Sequence, residues 1–255
     1  MLSTTLTIAR FTSIEVLRGR LLTVLALALL VAAGSAWFVA SLAITETGAY
    51  RAAMLAATLR IMAAVLVALY TAAGMVRDYQ EKTLELVLAG AATRVQYFIG
   101  RLAGFSLIAV ICTAAAAVVM LSAGPAPAVL DWSARLLLEL LLVTAASMTA
   151  VVTFRQLPPA LAATGLFYVA ARALSALELL SRSTLAGAGD MPHALMAGVI
   201  QALGYLLPEL SRFAAAGLFI DGAASADLAA VLLETLVYLA LLCAVGLTDF
   251  YRQNL

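Results

Sequence analysis

The sequence predicts an all-α fold, a polytopic transmembrane helical bundle of six spans. Three observations predict it. The 255-residue chain is 65% hydrophobic and 11% charged, where soluble domains carry about 25% charged residues. Its apolar residues gather into six runs near the length of about 20 that crosses a bilayer as a helix. Its basic residues are shared unequally between the two sides those runs define. So little polar sequence leaves no room for a soluble catalytic domain, and charge this sparse excludes a nucleic-acid surface.

Residues 1–20 are too polar to cross. Leu6, Phe11, Ile14 and Leu17 recur along one stripe among Arg10, Glu15 and Arg18, with Ile8 and Val16 off it. An interfacial helix on the membrane surface fits this pattern, and a frayed N-terminus is the plainer reading. The first apolar run, 21–43, begins only after Arg18 and Arg20 and is too long for a usual signal-peptide core, so it reads as the first anchor. A short polar link over 44–52 leads to span 2 at 53–76. Span 3 covers 98–121. Pro125 and Pro127 turn the chain into span 4 at 134–154, and Pro158 and Pro159 make a tight turn into span 5 at 157–179. Residues 180–228 form a long connector. Within it, 193–207 and 211–220 are too short to span and suit re-entrant or capping helices. The alternative, one strained crossing over 193–220, places Glu209 and Arg212 near its middle. Span 6 covers 229–249.

With the N-terminus in the cytoplasm, nine basic residues lie inside: Arg10, Arg18, Arg20, Arg77, Lys82, Arg94, Arg101, Arg155 and Arg252. Four lie outside, Arg51, Arg135, Arg182 and Arg212. The imbalance predicts a multi-pass plasma-membrane (cell inner membrane) protein with both termini cytoplasmic.

The link between spans 2 and 3, RDYQEKTLELVLAGAATRVQYFIGR over 77–101, then faces the cytoplasm. Residues 83–88 suit a helix that Gly90 is placed to end. Asp78 and Lys82 stand four apart and suit a pair, whereas Glu81 and Glu85 repel at the same spacing. A helix offering carboxylates and the apolar Leu84, Val87 and Leu88 to a basic groove uses what an isolated helix does not. A solvated connector whose leucines rest on the membrane is the other reading.

Five charges fall within or close to spans: Arg60, Glu139, Arg172, Glu178 and Glu234. In the six-span topology all occupy the outer half. Arg135 and Glu139 are four apart and suit a pair, while Arg60 and Arg172 each need a glutamate from another span. The group reads either as a polar path or gate, or as static ion pairs between helices. Small residues such as those at 72–75 permit close packing in lipid, and Gly74 is placed to let the loop helix approach the bundle. Cys112 and Cys243 lie in apolar runs and read as fillers. One histidine, His193, makes no metal site.

The sequence resembles the permease subunits of ABC-2 type ATP-binding-cassette transporters, the group that includes the permease of nitrous-oxide-reductase maturation. The resemblance rests on the 77–101 link. Asp78 stands at the family's first acidic place, and Thr83, Leu84 and Glu85 match a Thr-Leu-Glu core. Arg94 matches an arginine, and Gly100 with Arg101 matches a Gly-Lys pair. Lys82 replaces a glycine and Ala91 a proline, both compatible with a helix. Glu15, Arg18 and Arg20 are similar to the family's amphipathic elbow, and Pro208 and Phe213 to a signature before the last span.

The resemblance implies an elbow over 1–20 and a transmembrane domain over 21–255. It implies a coupling helix over 78–90, in which Asp78, Glu81, Lys82, Thr83, Leu84, Glu85 and Leu88 dock on a cytoplasmic ATPase dimer. It implies a second permease copy, a homodimer, in the lipid bilayer. A periplasmic partner is compatible with it. ATP and Mg2+ belong to the ATPase subunit. This chain contains no phosphate-binding loop, binds no cofactor directly and is not an enzyme by itself. A non-transporting scaffold or assembly factor, and an intramembrane enzyme, are the rival readings.

Overall fold

The computed structural model describes residues 2–18, 21–42, 47–84, 87, 90, 93–182, 204, 207–213 and 227–252. They form α1 (Leu2–Arg18), α2 (Leu21–Leu42), α3 (Thr47–Gln80), α4 (Arg94–Met120), α5 (Ala126–Phe154), α6 (Leu157–Arg182) and α7 (Leu228–Arg252). No strand occurs among the described residues. The protein is a multi-span α-helical membrane protein. Five helical stretches among the described residues are long and apolar enough to cross a bilayer: Arg51–Gln80, Arg94–Met120, Ala126–Phe154, Leu157–Leu174 and Leu228–Arg252.

The ends of these helices follow from local chemistry. The predicted polar link before span 2 is shorter than expected, because α3 already begins at Thr47. At α4, the Thr93 hydroxyl accepts from the Gln96 amide and the Gln96 side chain accepts from the Thr93 amide. This reciprocal cap satisfies two donors that a helix start leaves bare. The α5–α6 turn is as tight as expected. Arg155 ends α5 in the left-handed region at φ 55°, its amide bonded to the Val151 carbonyl at 2.7 Å. Pro158 and Pro159 then occupy the first turn of α6, where missing N–H groups do no harm.

Helix α5 is the axis of the bundle and packs against α3, α4, α6 and α7. One core joins α3, α4 and α5 through Leu59, Val67, Met75, Phe98, Phe105, Ile108, Trp132, Leu136 and Met148. Helices α6 and α7 make no direct contact among their described residues. Residues 207–213 fill the gap between them instead, with Leu210 and Phe213 fully buried against Leu142, Ala171 and Val231. The Tyr238 hydroxyl donates to the Leu207 carbonyl at 2.9 Å and the Glu209 amide to Glu234 at 2.8 Å. These residues form a turn. Most of 193–207 and 214–220 lies outside the described residues.

Helix α7 turns Leu232, Leu233, Leu236, Val237, Leu241 and Val245 outward. In water such a face is unfavourable by about 25 cal/mol for each Å²; in hydrocarbon it matches its surroundings.

Helix α1 carries two apolar faces. Leu6, Phe11 and Leu17 of the predicted stripe are exposed, whereas Thr12 and Val16 are buried. The two residues that break the stripe, Ile8 and Val16, belong to the face that meets the protein. That contact depends on Gly100 and Gly104 of α4. A Cβ at Gly100 would lie 2.9 Å from Ile8 Cβ, and one at Gly104 would lie 2.3 Å from Thr12 Cβ. Gly74 performs a different task from the one expected, since the space over it is taken by the Phe105 ring of α4.

Candidate functional site

The structure gathers most of the described interior charges into two clusters, at different heights of the bundle. The first joins α1, α3 and α4 at the root of the 81–93 connector. Arg101 of α4 pairs with Asp78 of α3 and, at 2.8 Å, with Glu15 of α1. Glu15 also pairs with Arg77. The Tyr97 hydroxyl donates to the other oxygen of Asp78 at 2.5 Å, and Arg101 donates to the Thr12 hydroxyl at 3.0 Å. The Arg101 guanidinium carbon lies 5.5 Å from the centre of the Phe105 ring. Arg101 and Asp78 are buried, Glu15 is half-buried and Arg77 is exposed. Two cations face two anions, so the cluster is electrically balanced.

This arrangement changes the expected roles of the connector residues. Asp78 lies in the last turns of α3 and pairs with Arg101, not with Lys82, because its side chain points inward. Leu84 is 1% exposed and belongs to the main core, so it offers no surface to a partner. Lys82 is not helical: it takes φ 56° and, with Glu81, makes the turn that ends α3. The glycine at this place in the resembled motif is the residue such a conformation favours. Glu81 and Lys82 are exposed and Thr83 is half-buried, so of the residues expected to dock these are the ones at the surface among the described residues. Glu85 and Leu88 lie outside the described residues, as does Arg20; Arg18 is exposed at the end of α1.

Arg94, matched to the motif's arginine, is an anchor. It donates to the carbonyls of Phe250 at 2.5 Å and Tyr251 at 3.3 Å at the end of α7. Those carbonyls lie in the last described turn of α7, where the negative end of the helix dipole favours a cation. Thr153 of α5 completes the tie by donating to Asp249 of α7 at 2.7 Å.

The second cluster joins α3, α5 and α6. Glu139 Oε2 accepts from Arg60 at 2.8 Å, and its Oε1 accepts from the Tyr168 hydroxyl at 2.8 Å and from Arg172 at 3.3 Å. Arg60 and Glu139 are 1% and 0% exposed, and Arg172 is 29% exposed. The Arg60 guanidinium carbon lies 5.9 Å from the centre of the Trp132 ring. Arg60 and Arg172 thus meet one shared glutamate, not one each. The expected Arg135–Glu139 pair is absent: Arg135 pairs with Asp131 at 2.9 Å and donates to the Arg212 carbonyl at 3.3 Å. Because α5 begins at Ala126, eight residues before the expected start, Glu139 sits near the middle of this 29-residue helix and not in one half of a shorter one. Glu234 is apart from this cluster, on the amide of Glu209. The side chain of Glu178 lies outside the described residues.

No group of three metal-binding side chains occurs among the described residues. The thiols of Cys112 and Cys243 are unbonded to one another. Two signals in the sequence point to contacts the span pattern misses: T-x-x-Q over 93–96, which reads as a helix cap, and G-x-x-x-G over 100–104, which reads as a close helix contact. The chain matches no family model, and no curated protein is significantly similar to it in sequence.

Proposed function

We propose that this chain is the membrane-spanning permease subunit of an ATP-driven ABC-2 type exporter, powered by a separate cytoplasmic ATPase dimer and working as a pair of permease copies. In this reading α2, 22 residues long and without a charged side chain, is the sixth crossing. Helix α1 is the elbow on the cytoplasmic face, both termini are cytoplasmic and the membrane is the cell inner membrane.

The connector between α3 and α4 carries the reading. Its exposed residues Glu81 and Lys82 adjoin a turn whose neighbours on both sides are fixed. Asp78 is held by Arg101 and Tyr97, Leu84 is sunk in the core, and Thr93 caps α4. A push at Glu81 and Lys82 meets anchored residues on either side. It passes through Asp78 and Arg101 to α3 and α4, and through Glu15 to α1. That is the mechanical property a subunit driven by another protein's ATP cycle requires.

The test is co-purification of the tagged chain from its native membrane. We expect an ATPase subunit in the wild-type complex and its loss in the Glu81→Lys, Glu85→Lys double variant, with membrane insertion retained. A wild-type complex without an ATPase favours the scaffold reading. A double variant that keeps its ATPase removes the connector from the contact.

A further inference from the structure

We propose that the cluster of Arg60, Trp132, Glu139 and Arg172 is an anion-binding site, built for one compact monoanionic group inside the bundle. The inference is independent of ATPase coupling and concerns the middle of α5, away from the connector.

Charge is the first ground. Arginine keeps its proton in proteins, so among the described residues two guanidinium groups share one carboxylate and the cluster holds an excess positive charge. Arg60 is 1% exposed and Glu139 0%. That pair is neutral by itself, so the surplus charge falls on Arg172 at its edge, 29% exposed, and a surplus charge beside a buried pair is unfavourable. The neighbouring carboxylates Asp131 and Glu209 are engaged by Arg135 and Arg212. Glu234 is engaged by the Glu209 amide, on a helix that makes no contact with α3 among the described residues.

Unused hydrogen-bonding capacity is the second ground. Arg60 Nη2 and the Trp132 indole N–H are both buried and have no acceptor among the described residues. They share one neighbourhood, since the Arg60 guanidinium lies over the Trp132 ring. Glu139 accepts from Arg60 Nη1, Tyr168 and Arg172 but bonds to neither of these two donors. A water molecule would satisfy a donor but leave the charge. An anion satisfies both. Arg172 is 29% exposed and gives the site an edge through which an ion enters.

The chemistry required is a single negative charge with acceptor atoms. A free halide supplies it, and so does the phosphodiester of an anionic lipid. The two sources are separable. The full chain carrying Trp37→Phe keeps Trp132 as its one tryptophan. In lipid-depleted detergent, bromide replaces gluconate at constant ionic strength while Trp132 fluorescence is followed. We expect saturable quenching. In Arg172→Gln, which keeps the Arg60–Glu139 pair and a neutral core, we expect an apparent affinity at least about tenfold weaker. The titration is then repeated in phosphatidylcholine nanodiscs with and without phosphatidylglycerol. Suppression of the bromide response by phosphatidylglycerol assigns the site to a lipid headgroup, and an unaltered response assigns it to a free anion. Linear quenching that is the same in Arg172→Gln and in every lipid background overturns the proposal and leaves a static ion pair solvated by water.

Discussion

The two buried clusters use the same side chains to different ends. At the connector, Arg77 and Arg101 face Glu15 and Asp78, and the charges cancel. In the middle of the bundle, Arg60 and Arg172 face Glu139 alone among the described residues. A balanced network exchanges hydration for ion pairs and hydrogen bonds, and its net effect on stability is small. What it supplies is geometry: three helices meet in one arrangement. An unbalanced cluster leaves a field and unsatisfied donors inside the protein. The difference teaches that burial of charge alone does not mark a binding site here; the surplus does.

The largest expected effect tests that surplus. Glu139→Gln removes the one anion between two guanidinium groups, one of them fully buried. We expect a loss of about 3–5 kcal/mol, the range for a buried pair that loses one partner. Chemical unfolding in detergent measures it. Adding Arg172→Gln to the same chain removes one of the two stranded cations, so part of the loss should return. A Glu139→Gln protein as stable as wild type would mean that the cluster is solvated, and the contrast between the two regions would disappear.

A smaller effect is expected at the connector. In Asp78→Asn, Arg101 retains Glu15 and the Thr12 hydroxyl, and Glu15 is 33% exposed, so water shares the burden. We expect about 1.5–3 kcal/mol, the range for one hydrogen bond to a charged group. A double-mutant cycle with Arg101→Gln should give a coupling of about 0.5–3 kcal/mol. Coupling near zero would show that the balanced network does not hold α3 to α4, and the proposed transmission from connector to bundle would lose its route.

The sequence makes the bundle legible more fully than the clusters. Long apolar runs set the crossings, because a bilayer-length helix has no other composition. The expected boundaries fall several residues inside the observed ones at Thr47, Arg94 and Ala126. The helices continue beyond the apolar core into polar residues, which hydropathy does not register. Pairings between charges were less readable. Spacing suggested Asp78–Lys82 and Arg135–Glu139, since residues four apart share a helix face. Both were displaced by partners on other helices, or by Asp131 on the same one. Position i+4 shows which groups are able to meet, and packing decides which do. That Arg60 and Arg172 would converge on one glutamate depends on where α3 and α6 lie around α5, which no local pattern encodes. The faces of α1 are an intermediate case: Ile8 and Val16 interrupt one stripe because they belong to a second, and Gly100 and Gly104 mark where it docks.

The smallest effect separates the balanced network from the turn beside it. Lys82 holds φ 56°, a conformation unfavourable by roughly 1–2 kcal/mol for a side-chain-bearing residue, and glycine adopts it without that penalty. Against this, glycine gives the unfolded chain more freedom, which opposes folding by about 0.5–1 kcal/mol. Lys82→Gly should therefore stabilise by less than about 1 kcal/mol. Lys82→Ala, which keeps the backbone penalty and loses only an exposed side chain, should leave stability unchanged. If the network fixes the end of α3, the Lys82→Gly gain should persist unaltered in Asp78→Asn. If the turn and the network hold that end jointly, the gain should grow when Asp78 is lost. Unfolding of the four proteins distinguishes the two cases. A loss in Lys82→Gly would show instead that the lysine side chain itself contributes to the connector.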